Sequence, residues 1–167
     1  PGITAVANAK SSTGRLDLLT RLITDGGTEF DRIAEGYHGP LYAEVCPKSF
    51  SVLVRAGQRL NQIRFRQGQA VLSDAELTAL HAKEPLVSGE AMISEGLGFS
   101  VDLKLAKGDL VGYRAKPHTG VVDLDKIGHY PAPEFWEEIH SQNGRIILDP
   151  GAFYILVSRE AVTIPPD

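Results

Sequence analysis

Gly36-Tyr37-His38-Gly39-Pro40-Leu41-Tyr42-Ala43-Glu44-Val45-Cys46 is the stretch that decides how this chain reads. Two glycines and a proline signal a tight turn. The residues beyond the turn alternate, placing Tyr42, Glu44 and Cys46 on one face of a strand and Leu41, Ala43 and Val45 on the other. The pattern recurs on both sides. Ile3 to Ala9 is a run of small and branched residues that predicts a strand. Further strands are predicted at Thr28 to Ile33, Phe50 to Val54, Leu60 to Phe65, Phe99 to Leu105, Asp109 to Arg114, Arg145 to Leu148 and Phe153 to Val157. Many short strands parted by Gly and Pro turns predict an all-β sandwich or barrel.

Three helices interrupt this pattern. The first is predicted to start at a Ser11 or Ser12 cap, to carry Leu16, Leu19, Leu22 and Ile23 on one face, and to stop at Asp25-Gly26-Gly27. Ser73 to Ala82 reads as an amphipathic helix with Asp74 and Glu76 at the end its dipole favours. Pro133 opens a short third helix running to Ser141, with Glu137 and Glu138 on its wet face.

Composition bounds the function. The 167 residues can bury one core or two half-cores, and 17 basic against 21 acidic residues leave a net charge of −4. That balance argues against a nucleic-acid surface and leaves phosphate binding to a local cluster. No apolar run approaches the roughly 20 residues needed to span a bilayer, so no membrane partner is expected. Cys46, the single cysteine, excludes an internal disulfide, and a cytoplasmic location is the default.

The chemistry concentrates in two strings. Ser11-Ser12-Thr13-Gly14-Arg15 offers two hydroxyls and a guanidinium, groups suited to phosphate oxygens. Twenty residues separate Arg15 from the turn that leads to Glu44, a lone carboxylate on a strand. Zinc nucleobase deaminases use a His-x-Glu and a Pro-Cys-x-x-Cys signature, and this sequence has neither. A half-dry pocket would let Glu44 both accept and return a proton. The duller readings are an N-cap for the serines, a surface cation for Arg15 and a solvated edge residue for Glu44.

Ser11, Ser12 and Arg15, then Gly36, Tyr37 and Gly39, and then Glu44, resemble the hallmark of the dCTP deaminase family, relatives of the trimeric dUTP diphosphatases. Gly57-Gln58-Arg59-Leu60-Asn61-Gln62 is similar to the next family segment. The resemblance implies a mainly β fold, a distorted jelly-roll-like β-barrel of the dUTP diphosphatase type with a few short helices. It implies Glu44 as proton shuttle, Ser11 and Arg15 as positioners of water and base, and Lys10, Ser12, Tyr37 and Gln62 as nucleotide-binding residues. It also implies a deoxynucleoside triphosphate substrate carrying Mg²⁺, no zinc, and a trimer-like homo-oligomer with sites between subunits or repeats.

The second half resembles the front of the same family's repeat, from Leu72-Ser73-Asp74-Ala75-Glu76-Leu77 to the closing Val162-Thr163-Ile164-Pro165-Pro166. In the family that closing run precedes the Ser-Ser segment. Residues 1–71 are therefore expected to be the back half of one repeat and residues 72–167 the front half of a second, packed as one body and cut from a longer two-repeat chain; circular permutation is the alternative. Ala34 stands where relatives carry an aspartate that, in the diphosphatases, activates water. Its loss with retention of Glu44 favours deamination of dCTP over a dUTP diphosphatase or bifunctional enzyme. A non-catalytic nucleotide-binding repeat is the third reading.

Overall fold

The structure is a computed structural model describing residues 2–68, 71–104 and 110–166. In chain order the elements are β1 (Ile3–Ala9), α1 (Ser11–Gly14), β2 (Leu18–Thr24), β3 (Arg32–Ile33), β4 (Leu41–Pro47), β5 (Val52–Leu53), β6 (Asn61–Gln67), α2 (Asp74–Lys83), β7 (Leu110–Ala115), β8 (Val122–Asp123), α3 (Ala132–Phe135), β9 (Trp136–His140) and β10 (Tyr154–Leu156). Strands dominate and the helices are short, as the turn-rich sequence predicts. No helix among the described residues is long and apolar enough to cross a membrane.

The chain divides into two compact units. The first joins residues 1–70 with 114–137 and 149–153; the second holds 71–113, 138–148 and 154–167.

In the first unit, β1 lies between β3 and β6, antiparallel to both, with Ala5 opposite Phe65 and Ala7 opposite Ile63. β2 and β4 form an antiparallel pair, and β5 and β8 a short parallel one. Small residues at 5 and 7 are needed because both are buried. Asp31 ties the pieces together from a left-handed turn at φ 62, which aspartate tolerates better than most side-chain-bearing residues. Its carboxylate accepts from the Leu22 N–H at 2.7 Å, its own N–H donates to the Leu22 carbonyl, and its carbonyl accepts from Ala7. A second apolar cluster gathers Phe50, Ala115, Val122 and Phe135, flanked by Leu16, Val52, Tyr130, Trp136 and Phe153. Phe50 meets Phe135 and Trp136 edge-on, the arrangement aromatic quadrupoles favour.

In the second unit, β10 and the parts of β7 and β9 that belong to it, residues 110–113 and 138–140, lie in a sheet of order β10, β7, β9. Gly112 is required there: a Cβ would come within 2.3 Å of the Ile155 carbonyl oxygen. Val111, Leu86 and Val87 are buried. α2 starts at Ser73 with a capping box, the Ser73 hydroxyl accepting from the Glu76 N–H and the Glu76 carboxylate accepting from the Ser73 N–H. The Ser73 N–H, and the Ser73 hydroxyl donating at 2.7 Å, lower the pKa of the Glu76 carboxyl.

Two helix expectations fail. Leu16 to Ile23 is not a helix: α1 is a single turn, Asp17 adopts φ 51, and β2 comes next. The apolar spacing fits both periods, but Leu18, Thr20, Leu22 and Thr24 are all buried, so a period of two prevails. Pro133 does sit in the first turn of α3, yet that helix lasts four residues and Trp136–His140 runs on as a strand in which Trp136 and Ile139 are half-buried and Glu137, Glu138 and His140 exposed. No strand forms over the described part of Phe99 to Leu105 or over Arg145 to Leu148; the bridges Val101↔Ser158 and Gln142↔Arg145 stand there instead. Leu105 and Asp109 lie outside the described residues.

Candidate active site

β1 delivers its last residues to the site. Pairing with β6 runs through Ala9↔Asn61, and the Lys10 N–H then donates to the Leu60 carbonyl at 3.0 Å. Lys10, extended at φ −60 and ψ 150, is the residue that caps α1, and it makes no side-chain cap bond. The expected Ser11 or Ser12 cap is therefore displaced by one residue, which leaves both hydroxyls outside the capping role. Among the described residues, the side chains of Ser11, Ser12 and Arg15 have no hydrogen-bond partner in this chain, and all three residues are exposed. The turn is anchored from behind, where Thr13 is buried and Asp17 accepts from the Ser49 hydroxyl at 2.8 Å and from the Lys48 N–H at 3.0 Å.

Glu44 stands on β4 opposite Arg21 of β2. Directly opposed residues share a face, so Leu19, Arg21 and Ile23 accompany Tyr42, Glu44 and Cys46. One Arg21 terminal nitrogen donates to both Glu44 oxygens, at 2.8 and 3.0 Å. The guanidinium carbon sits 4.1 Å from the centre of the Phe30 ring, a cation–π contact. The pair is half exposed, at 37% for the Arg21 side chain and 41% for Glu44. Among the described residues no hydrogen bond or ion pair joins Glu44 to Ser11, Ser12 or Arg15 within this chain. Arg21 escapes the sequence reading because a helical assignment for residues 16–23 gives it no cross-strand neighbour; the alternation of β2 was the signal.

The turn before β4 is built around Tyr37. The Tyr37 N–H donates to the Ala34 carbonyl at 3.2 Å, with Gly36 at φ 74. The Tyr37 hydroxyl donates to the Pro40 carbonyl and accepts from the Asp25 N–H. Gly39 leaves room for that ring, since a Cβ there would lie 2.9 Å from the hydroxyl oxygen. Gly36 has open space around it, so Gly36→Ala is strained through its backbone alone. It should cost about 1 kcal/mol in urea unfolding, the penalty of a left-handed alanine.

Gln62 lies opposite Asn8, on the face of the β1–β6 pair that also carries Arg64 and Arg66. Arg64 donates to the Asn8 side-chain oxygen at 2.8 Å, and Arg32 of β3, opposite Val6, pairs with Glu29 at 2.9 Å. A net-negative chain thus concentrates positive charge on one sheet face, next to the segment with Lys10. The sequence-predicted residues fall into two groups, Lys10 to Arg15 with Gln62 around the β1–β6 end, and Glu44 with the Tyr37 turn on the β2–β4 pair.

Charge also braces the first unit elsewhere. Arg55 donates to Asp123 at 2.9 Å and to Asp125 at 2.9 Å, and Gln58 joins through Asp125. The Arg55 hydrogen bond, helped by the Asp125 N–H, lowers the Asp123 carboxyl from 3.8 to about 2. A folded-state value below the unfolded one stabilises the fold above pH 3.8, and this contribution disappears as pH falls through about 2. Asp123→Asn should therefore lower stability at neutral pH and flatten the acid limb between about pH 4 and 2, as read by urea midpoints across pH. In the second unit, Ser88, Glu90, Met92, Ser100, Arg159 and Glu160 line a cavity of about 580 Å³ that contains none of the sequence-predicted site residues. Ser100 donates through both its hydroxyl and its N–H to Glu160, which lowers that carboxyl's pKa.

The strand-dominated architecture with few short helices is a dUTP diphosphatase-like fold. The model of the 2′-deoxycytidine 5′-triphosphate deaminase N-terminal domain matches residues 1–69, and that of the C-terminal domain matches residues 73–167. A crystal structure of a 2′-deoxycytidine 5′-triphosphate deaminase from Agrobacterium tumefaciens superimposes with a TM-score of 0.92 at 50% identity, covering 99% of this chain and 49% of that chain. No curated protein matches. The chain belongs to the dCTP deaminase family. It spans about half the length of that solved relative. The two domain models succeed one another in the order N-terminal, then C-terminal, and do not support the expected split into halves of two repeats cut from a longer chain.

Proposed function

We propose that this protein is a zinc-independent deaminase that converts dCTP and water to dUTP and ammonia, with the nucleotide bound as its Mg²⁺ complex. The observation that carries this reading is the 50% identity to a dCTP deaminase over 99% of the chain, in a chain that presents Ser11, Ser12 and Arg15 at the end of β1 and Glu44 on β4.

Water adds to C4 of the cytosine ring. As the C4–O bond forms, Glu44 takes a proton from the water and passes it to N3, onto which the C4=N3 electron pair has moved. Glu44 then takes the remaining hydroxyl proton and gives it to N4. The C4–N4 bond breaks, ammonia leaves, and a carbonyl remains at C4. Ser11 and Arg15 hold the water and the charge that develops on it. Lys10, Ser12 and Gln62 bind the nucleotide, and Tyr37 shapes the turn beside it.

Ser11, Ser12 and Arg15 are exposed and, among the described residues, without side-chain partners in their own chain, which supports a site completed by another copy in a trimer-like homo-oligomer. Arg15→Ala should reduce kcat by about 10²-fold or more, the scale of losing one electrostatic donor, with a smaller change in stability. Ammonia and dUTP formation from Mg·dCTP tests the reading. Pyrophosphate release from dUTP instead would mark a diphosphatase, and nucleotide-dependent stabilisation without turnover a binding module.

A further inference from the structure

Glu44 is unusually well held for a carboxylate on a half-exposed strand. The grip comes from the opposing strand, where one Arg21 nitrogen lies 2.8 and 3.0 Å from the two carboxylate oxygens. Arg21 is itself restrained by the Phe30 ring 4.1 Å away, and its Nε is buried without a partner among the described residues. An exposed ion pair with two free side chains contributes little to stability. Here the cation is stacked and partly desolvated, at a cost the fold has to offset.

The geometry suits a proton carrier. Each carboxylate oxygen has two lone pairs, and Arg21 occupies one on each. The others stay open to water and to the base, while rotation of the carboxylate is restricted.

We propose that Arg21 is a positioning residue for deamination, with Phe30 as its brace: it fixes the direction from which Glu44 receives and returns protons without touching the nucleotide. The proposal rests on the reading of Glu44 as proton carrier. Arg21 acts through Glu44, so its loss should appear in kcat and leave the KM for dCTP nearly unchanged.

The test uses the full chain in its native assembly, comparing wild type with Arg21→Gln, Arg21→Lys, Glu44→Gln and the Arg21→Gln/Glu44→Gln double variant. Arg21→Gln is expected to lower kcat by about 10²-fold, the scale of a misplaced reacting group, with KM within about twofold. Arg21→Lys should recover part of that loss, as should millimolar guanidinium added to Arg21→Gln. The double variant should be no slower than Glu44→Gln alone, because one residue works through the other. A wild-type kcat in Arg21→Gln, or a further loss in the double variant equal to that of the single one, overturns the proposal while the deaminase reading stands. Absence of dCTP turnover in wild type removes both together.

Discussion

Glu44→Gln is expected to lower kcat by about 10³-fold, within the range that a positioned acid–base group supplies, and to leave a slow but measurable residual rate. Glutamine keeps the length of the side chain and its capacity to accept from Arg21, but it cannot take a proton from water at neutral pH. The change should be almost silent in stability. The Arg21–Glu44 pair is roughly two-fifths exposed on both sides, and pairs of that kind contribute at most about 1 kcal/mol. Catalytic loss with an unfolding midpoint near that of wild type is the expected signature, measured by steady-state ammonia release and urea denaturation on the same preparations. Retention of a tenth of the wild-type rate would assign proton transfer to another group.

Phe50→Ala should have the largest effect on stability, about 3–5 kcal/mol. Phe50 is 2% exposed and lies 5.9 Å from the Phe135 ring and 5.4 Å from that of Trp136. Truncation removes an apolar payload and opens a cavity that short, turn-tied segments such as β5 and α3 cannot close by moving together. Trp136 is the sole tryptophan, so its fluorescence reports on this cluster directly. Phe50→Leu, which keeps most of the volume, should cost less than half as much. Equal losses for the two variants would place the contribution of Phe50 in its ring contacts rather than in filled volume.

Local order and tertiary pairing were unequally legible in the sequence. β1 and β4 carry their signals locally, in small and branched residues or in alternation after a glycine turn, and α2 announces itself through Ser73 and Glu76. β2 misleads because leucines at 16, 19 and 22 satisfy helical spacing. The residues that decide otherwise, Thr20 and Thr24, are polar side chains buried at 4% and 7% exposure, which a hydropathy pattern discounts. Trp136–His140 fails in a similar way, since a proline start suits both a long helix and a single turn that hands over to a strand.

At the candidate site, the individual residues were readable as motifs while their partners were not. Glu44 can be picked out on its strand, but Arg21 becomes its neighbour only through the β2–β4 register. Arg55 and Asp123 are 68 residues apart, and nothing local to either announces the ion pair. Motif recognition finds side chains whose order along the chain is informative; it does not find contacts made by folding two distant segments together.

The measurement that tests the central claim most directly is ammonia release with dUTP formation from dCTP, with Mg²⁺ and a zinc-selective chelator present, in wild type beside Glu44→Gln. Chelator-resistant, stoichiometric formation of ammonia and dUTP by wild type, slowed by about 10³-fold in Glu44→Gln, is the predicted result. A well-folded wild-type protein that binds dCTP and releases no ammonia would contradict it.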